Sequence, residues 1–447
     1  MMDNRLSQML QAIAPSGKTA LDSGAMIVTE TAYSLDPSAL LDSLTGTENL
    51  LIIQDLDGVC MDLVRDPLTR TLNPAYLQAA RDLDGHFQVL TNGEHIGSRG
   101  VNSLVERALG SAQRCQEQGL YLPGLAAGGV QLQDRHGRLS HPGVSDQELA
   151  FLAAVPVWLS EALQSLLRQA PYRLADRDIE PLLASSVIDN PVSPTLNLNA
   201  FHHHWQERPD LYARLQTDSA ALLQQLLDKA AAQGLAQSFF VHYAPNLGRD
   251  ASGRERLRPA QGTAAGTTDL QLMLRGSIKE AGVLVILNRY YGQRTGVYPL
   301  GEAFNVRQAP TSLEALLQLA VERFEPQHIP RLVGVGDTLT STAVTADDGS
   351  TQWLRGGSDR GFLTLVQQLG EAFGQDNRVL YIDSSRGEVQ RPGVDAAYLR
   401  AHPSEPWPAL AGITDAEDPL RLDTLFAGGP RQYVEFFCAL ASARQHG

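Results

Sequence analysis

The apolar positions fall into two textures, and the change comes near residue 145. Before it, Leu50-Leu51-Ile52-Ile53 form a continuous apolar run that reads as a buried strand over 48–54. A helical pattern follows over 73–84, with Asn73 as its cap and Pro74 suited to its first turn. Residues 86–94 read as a second strand ending in Thr91-Asn92-Gly93, and 96–110 and 111–120 suggest helices. Residues 127–140 alternate apolar and polar across a Gly-bearing turn, a hairpin pattern. Residues 1–47 give only weak signals, the best a short helix over 3–13.

From about 145 to 305 the spacing predicts two long helices, 146–171 and 210–234, and two strands, 236–245 and 282–291. A Pro/Asn-rich link (189–199) and a Gly/Arg-rich loop (246–268) lie between them. After that block come a helix over 311–326, a strand over 330–344 running into Gly336-Asp337, a helix over 362–374 and a strand over 377–388. Strands alternating with helices predict an α/β fold, a doubly wound and mostly parallel sheet covered on both faces. The block with different texture reads as a large α+β domain inserted into it. The expected division is a core over 1–142, an insertion over 143–305 and the rest of the core over 306–447.

Composition narrows the function. With 43% hydrophobic and 19% charged residues the chain reads as a globular protein, and no apolar run approaches the roughly 18 residues of a membrane span. The N-terminus has an acid at position 3 and no apolar core, so it does not read as a secretory signal. Three widely spaced cysteines (Cys60, Cys115, Cys438) show neither a disulfide framework nor zinc spacing. These features together predict a cytoplasmic enzyme. A net charge of −14 disfavours nucleic acid and anionic membranes as partners. It also requires that positive charge be concentrated wherever an anion is handled. Lysine is scarce (Lys18, Lys229, Lys279), so arginine and a metal ion must carry most of that work.

The candidate chemistry starts at Asp55 and Asp57. Residues i and i+2 of an extended segment point the same way, and the carboxyl ends of strands in open α/β sheets border the ligand crevice. One carboxylate so placed can attack phosphorus, and the other can protonate the leaving oxygen and later activate water. Gly58 lets the chain bend sharply after them. Alone, Asp-x-Asp-Gly is more often a solvated turn. Thr91 ends a second strand, where its hydroxyl and the N–H groups of Asn92 and Gly93 can cradle a phosphoryl group. Asp337 ends a third strand, where with Asp55 it offers hard oxygen ligands to a cation such as Mg²⁺, the backbone carbonyl of Asp57 being a third. Each signal is weak by itself; all three in this order are specific.

Asp-Leu-Asp-Gly-Val (55–59), Leu-Thr-Asn-Gly (90–93) and Val-Gly-Val-Gly-Asp-Thr (333–338) together resemble the motifs of haloacid-dehalogenase-type phosphatases. The insertion resembles the larger of that superfamily's cap types, and the wider stretch 52–70 resembles the glucosylglycerol 3-phosphatases, salt-tolerance phosphatases of cyanobacteria. The resemblance implies a Rossmann-like core, Mg²⁺ as cofactor and hydrolysis of a glycosyl-polyol phosphate through an aspartyl phosphate, in osmolyte synthesis. A functional link to the synthase that makes the substrate is implied as well. Residue by residue it makes Asp55 the nucleophile and a metal ligand, Asp57 the general acid/base, Thr91 with Asn92 the phosphate cradle and Asp337 a metal ligand.

Two departures stand out. No lysine lies between Lys279 and Asp337, so either Lys279 reaches in from the insertion or Arg307 replaces the usual lysine. Many relatives also carry another acid four or five residues after Gly-Asp, where this chain has Ser341 and Thr342; Asp347 or Asp348 is the candidate substitute, against a plain solvated turn. The two gaps favour a non-catalytic sugar-phosphate-binding regulator as the second reading, and phosphatases of sucrose, trehalose or glycosylglycerate phosphate are alternatives within the first. Four other segments attract notice. Residues 201–205 (Phe-His-His-His-Trp) read as cap surface rather than a metal site. Residues 288–299 read either as a sugar-binding stretch or a hairpin face. The arginines of 248–258 read as an anion attractor or a mobile loop. Residues 354–361 read as a helix start capped by Ser358 or Asp359.

Overall fold

The computed structural model describes residues 33–446 apart from 263 and 347; the helix expected over 3–13 lies outside them. Its main sheet has eight strands in the order β16-β15-β12-β1-β2-β3-β4-β5. These are β1 Leu50–Gln54, β2 Phe87–Leu90, β3 Gly124–Ala126, β4 Gln131–Gln133, β5 Leu139–Ser140, β12 Arg331–Gly336, β15 Arg378–Ile382 and β16 Thr424–Phe426. From β16 to β3 all pairings are parallel; β4 and β5 add an antiparallel edge, the hairpin expected over 127–140.

β1 shows why an unbroken apolar run forms a central strand. All five of its residues are buried. Leu51 and Ile53 enter one hydrophobic core, Leu50 and Ile52 the other on the opposite face. A sheet covered on both sides needs apolar residues at both parities. The helix Pro74–Asp82 starts as the sequence predicts, with Asn73 accepting a hydrogen bond from the Ala75 N–H and Pro74 in the first turn.

The inserted sheet is antiparallel, in the order β6-β7-β11-β8 (Val187–Ile188, Thr195–Asn197, Asp269–Leu274 and Phe239–Ala244). The helices Asp146–Arg168 and Pro209–Ala232 cover it. The first of these is long and apolar enough, by length and composition, to cross a membrane, contrary to the sequence expectation. Here Phe151, Leu152, Val155, Leu159 and Leu163 bury one of its faces in the shared core.

Several expectations are corrected. β7 lies within the segment read as a link, and β11 was not anticipated at all. The loop 246–268 contains a hairpin, β9 Asn246–Arg249 with β10 Glu255–Leu257. The strand expected over 282–291 is a helix, Lys279–Thr295. Its Val283-Leu284-Val285-Ile286-Leu287 are all buried. A helix buried all round has no polar face, so its apolar run cannot be told from a strand by periodicity. This helix packs against β2, β3 and the helix Arg360–Phe373 of the main layer. On that ground we propose that the insertion ends near residue 278 rather than at 305. A second hairpin, β13 Thr340–Thr345 with β14 Thr351–Gly356, follows Asp337 and touches β9.

Candidate active site

Parallel pairing in register brings three strand ends together. Gln54 lies opposite Val335 and Val89, so Asp55, Asp337 and Thr91 emerge side by side at the carboxyl edge. Asp55 is 6% exposed; its N–H donates to the Val335 carbonyl, and its Oδ1 accepts the Leu56 N–H at 2.8 Å. Gly58 follows with φ +79°, and a Cβ there would sit 2.1 Å from Asp337 Oδ2. Only glycine permits this turn so close to the second carboxylate.

The missing lysine is Lys279. From the first position of its helix Nζ donates to Asp55 Oδ2 at 2.7 Å and to Asp359 Oδ1 at 2.6 Å, and the side chain is 2% exposed. Arg307, the alternative, is elsewhere. It pairs with Glu148 at 2.6 Å and donates to the Ser238 and Arg275 carbonyls.

The missing second acid is Asp359, fully buried and 22 residues beyond Asp337. Its Oδ2 accepts the N–H groups of Asp337 and Thr338, both at 2.9 Å. It stands at the start of the helix Arg360–Phe373, as the sequence suggests for 354–361, but its side chain makes no capping bond and turns to the site instead. Neither Ser341, which donates to Asp415, nor Asp348, exposed and bonded to Ser350, fills that place. Thr342 is spent in the β13 pairing, and Asp347 lies outside the described residues.

Carboxylate oxygens of Asp55, Asp337 and Asp359 lie within 4.8 Å of one another. Three carboxylates against one ammonium leave two negative charges, the charge of a divalent cation. Asp337 Oδ2 is buried without a hydrogen-bond partner among the described residues. An orphan acceptor in an all-oxygen, hard-ligand set fits Mg²⁺. Burial pushes the Asp55 carboxyl up to about 7, Lys279 pulling it down and Asp359 adding to the rise. Asp337 is raised more strongly by burial, then by Asp359 and Asp55. A cation beside Asp55 and Asp337 would favour the ionised form of both. Burial works against the Lys279 charge, but Asp359 and Asp55 outweigh it and hold its pKa above the ordinary value.

Asp57 faces the same cleft. Both its oxygens accept from Arg70, at 2.8 and 2.9 Å, and Arg70 also donates to the Arg99 carbonyl. Thr91 is buried and its Oγ1 accepts the Gly93 N–H at 3.2 Å. Asn92 reaches up to the inserted domain, with Nδ2 2.9 Å from His242 Nε2. The structure therefore brings together Asp55, Asp57, Thr91, Asn92, Lys279 and Asp337 and leaves Arg307 out. It adds Asp359 and Arg70, which the sequence reading missed. Arg70 lies inside the very stretch 52–70 that carried the resemblance; no spacing rule marks Asp359.

A cleft opens between these groups and the inserted sheet, with Asn197, Asp269 and Gln271 as its roof. Of the other features, 201–205 is a short helix of the inserted domain, His203 and His204 exposed, as expected of a surface. Residues 288–299 hold no hairpin and stand apart from the cleft: they end the buried helix, and Tyr290 donates to Asn49 Oδ1. Residues 248–258 form the β9–β10 hairpin, with Arg249 against Glu255.

Comparison with known proteins gives the family. The family model described as glucosylglycerol-phosphate phosphatase matches residues 49–441. A glucosylglycerol-phosphate phosphatase of Synechocystis sp. (strain ATCC 27184 / PCC 6803 / Kazusa) is 49% identical over 420 residues, 94% of this chain and 99% of that protein. Among solved structures, the C-terminal domain of Candida albicans trehalose-6-phosphate phosphatase is 12% identical, covers 92% of this chain and 98% of its own, and has a TM-score of 0.42. The Aspergillus fumigatus trehalose-6-phosphate phosphatase is 10% identical with 92% and 99% covered and a TM-score of 0.38. These two likenesses are too weak to carry a conclusion. The first two are not: the chain belongs to the glucosylglycerol-phosphate phosphatase family and is a phosphoric monoester hydrolase.

Proposed function

We propose that this phosphatase hydrolyses glucosylglycerol 3-phosphate to glucosylglycerol and phosphate in the cytoplasm, as the last step in making a neutral osmolyte for salt tolerance. The single observation that carries the reading is identity of 49% running through 94% of the chain, the inserted domain included. The second reading, a regulator without catalysis, loses its ground, because both gaps that favoured it are filled by Lys279 and Asp359.

In the proposed mechanism Asp55 attacks phosphorus through a carboxylate oxygen, forming an acyl phosphate as the bond to the glycerol oxygen breaks. Asp57 gives its proton to that oxygen and then takes one from the water that cleaves the acyl phosphate, restoring both groups. Lys279 offsets charge on Asp55 and the phosphoryl oxygens, and Thr91 with the N–H groups after it orients them. Asp55, Asp337, Asp359 and the Asp57 carbonyl would hold Mg²⁺, which when bound offsets the charge of three carboxylates and a phosphate. Arg70, gripping both oxygens of Asp57, fixes that side chain in the cleft, facing the leaving oxygen.

The test is Mg²⁺-dependent phosphate release from glucosylglycerol 3-phosphate beside sucrose 6-phosphate and trehalose 6-phosphate. The first should be strongly preferred, and Asp55→Asn should abolish release from all three. Preference for another ester would keep the mechanism and refute the substrate.

A further inference from the structure

The strand β11 reads Asp-Leu-Gln-Leu-Met-Leu, and its alternation sorts two environments. Leu270, Leu272 and Leu274 are fully buried beneath the helices of the inserted domain. Asp269 and Gln271 share the opposite face, over the cleft. The neighbouring strands continue that face: Gln271 lies opposite Thr195, and Asp269 opposite Asn197. The buried polar groups of a face over a cleft have to satisfy their own hydrogen bonds or wait for a ligand to do so.

Part of it is satisfied internally, since Asn197 Nδ2 donates to Asp269 Oδ1 at 2.8 Å. Part is not. Gln271 and Asn199 are each 7% exposed, and the amide oxygens Gln271 Oε1 and Asn199 Oδ1 are buried without a partner among the described residues. Arg391 comes from the segment after β15 and lines the same cleft, its guanidinium against the residues just before β11. It donates to the Gly266 carbonyl and the Thr268 hydroxyl, and its Nε is also buried and unpartnered. Two acceptors and one donor left open around one cleft match a group that both donates and accepts. Amide oxygens do not attract a second anion, so the group is neutral and rich in hydroxyls.

We infer that Gln271 and Asn199, together with Arg391, are the specificity-determining residues that read the hydroxyls of the glycosyl group; this rests on the substrate reading above. Asp55 and its neighbours bind the phosphoryl end common to any ester, and the inserted sheet tells a glycosylated ester from a bare one. A site built to hydrogen-bond hydroxyls rejects the analogue lacking them, because its buried polar groups then stay unpaired.

The experiment compares kcat/KM for glucosylglycerol 3-phosphate with that for glycerol 3-phosphate, in the wild type and in Gln271→Met and Asn199→Ala, with thermal melting alongside. The ratio should fall about tenfold or more in each variant. Gln271→Met should melt no lower than the wild type, since it removes a buried acceptor that nothing in the free protein satisfies; a purely structural glutamine would lower the melting temperature instead. An unchanged ratio in folded variants overturns the inference, and so does a lowered melting temperature with the ratio intact. Should Gln271→Met not fold, Asn199→Ala decides by the same ratio. A wild-type ratio near one sinks the substrate reading and the inference with it.

Discussion

Lys279→Met tests the electrostatic design of the site most directly. The substitution keeps most of the side-chain volume and removes only the ammonium, which lies 2.7 Å from Asp55 Oδ2 and 2.6 Å from Asp359 Oδ1. All three side chains are less than a tenth exposed. Removing one partner of a buried ion pair costs about 3–5 kcal/mol, because the surviving charge stays buried without compensation. Asp55 can escape by taking up a proton, which leaves Asp359 as the stranded charge, so the lower end applies. The Asp55 carboxyl, already pushed to about 7 by burial, loses the group that pulls it down. At neutral pH without metal it would carry a proton and not attack phosphorus. Urea unfolding in the presence of a chelator measures the stability term, and phosphate release with Mg²⁺ the chemical one. Adding Asp359→Asn to Lys279→Met removes one stranded charge and should recover about 1–3 kcal/mol, as expected of side chains in contact. Unfolding of the single variant within about 1 kcal/mol of the wild type, well below the cost of a broken buried pair, would refute the reasoning. So would a double variant no more stable than the single one.

Two further outcomes follow from residues outside the reacting groups. Arg307→Met should change kcat/KM by no more than about twofold, since Arg307 grips Glu148 and not the substrate; it should lower stability by about 1–3 kcal/mol by stripping a buried carboxylate of its partner. Kinetics beside a thermal melt separate the two, and loss of activity in a folded protein would place Arg307 back in the phosphate site. His95 is fully buried, and burial holds its pKa down to about 4, with Nε2 donating to the Gly124 carbonyl and Nδ1 accepting from Gln133. The unfolded chain then binds the extra proton first, so stability should fall as pH drops from about 6.5 to about 4, by up to about 3 kcal/mol. Urea unfolding across that range should show the slope, and His95→Gln should flatten it; an equally steep slope in the variant would assign it to other groups.

The proposed catalytic pair, phosphate cradle and first metal carboxylate were legible because each is a local pattern: an apolar run, then a polar residue at a strand end. Asp55, Thr91 and Asp337 all have that form, and parallel register converts it into proximity. The alternation of strands and helices likewise follows from short-range spacing. Lys279 was legible as a candidate and no more, since nothing near it in the chain distinguishes it from Arg307. Asp359 read as an ordinary helix start. What set them apart is placement: Lys279 and Asp359 are 80 residues apart and meet because two helices begin at the same edge of the sheet. The polar roof escaped notice for the related reason that Asn197 and Gln271 sit in short strands whose partners are distant in sequence. The sequence by itself determined which chemical groups stand at the ends of the central strands, because burial of an apolar segment depends on a few neighbouring residues. Only the tertiary structure decided which cation, which second acid and which amides complete the site, because convergence depends on register and helix packing across the whole chain.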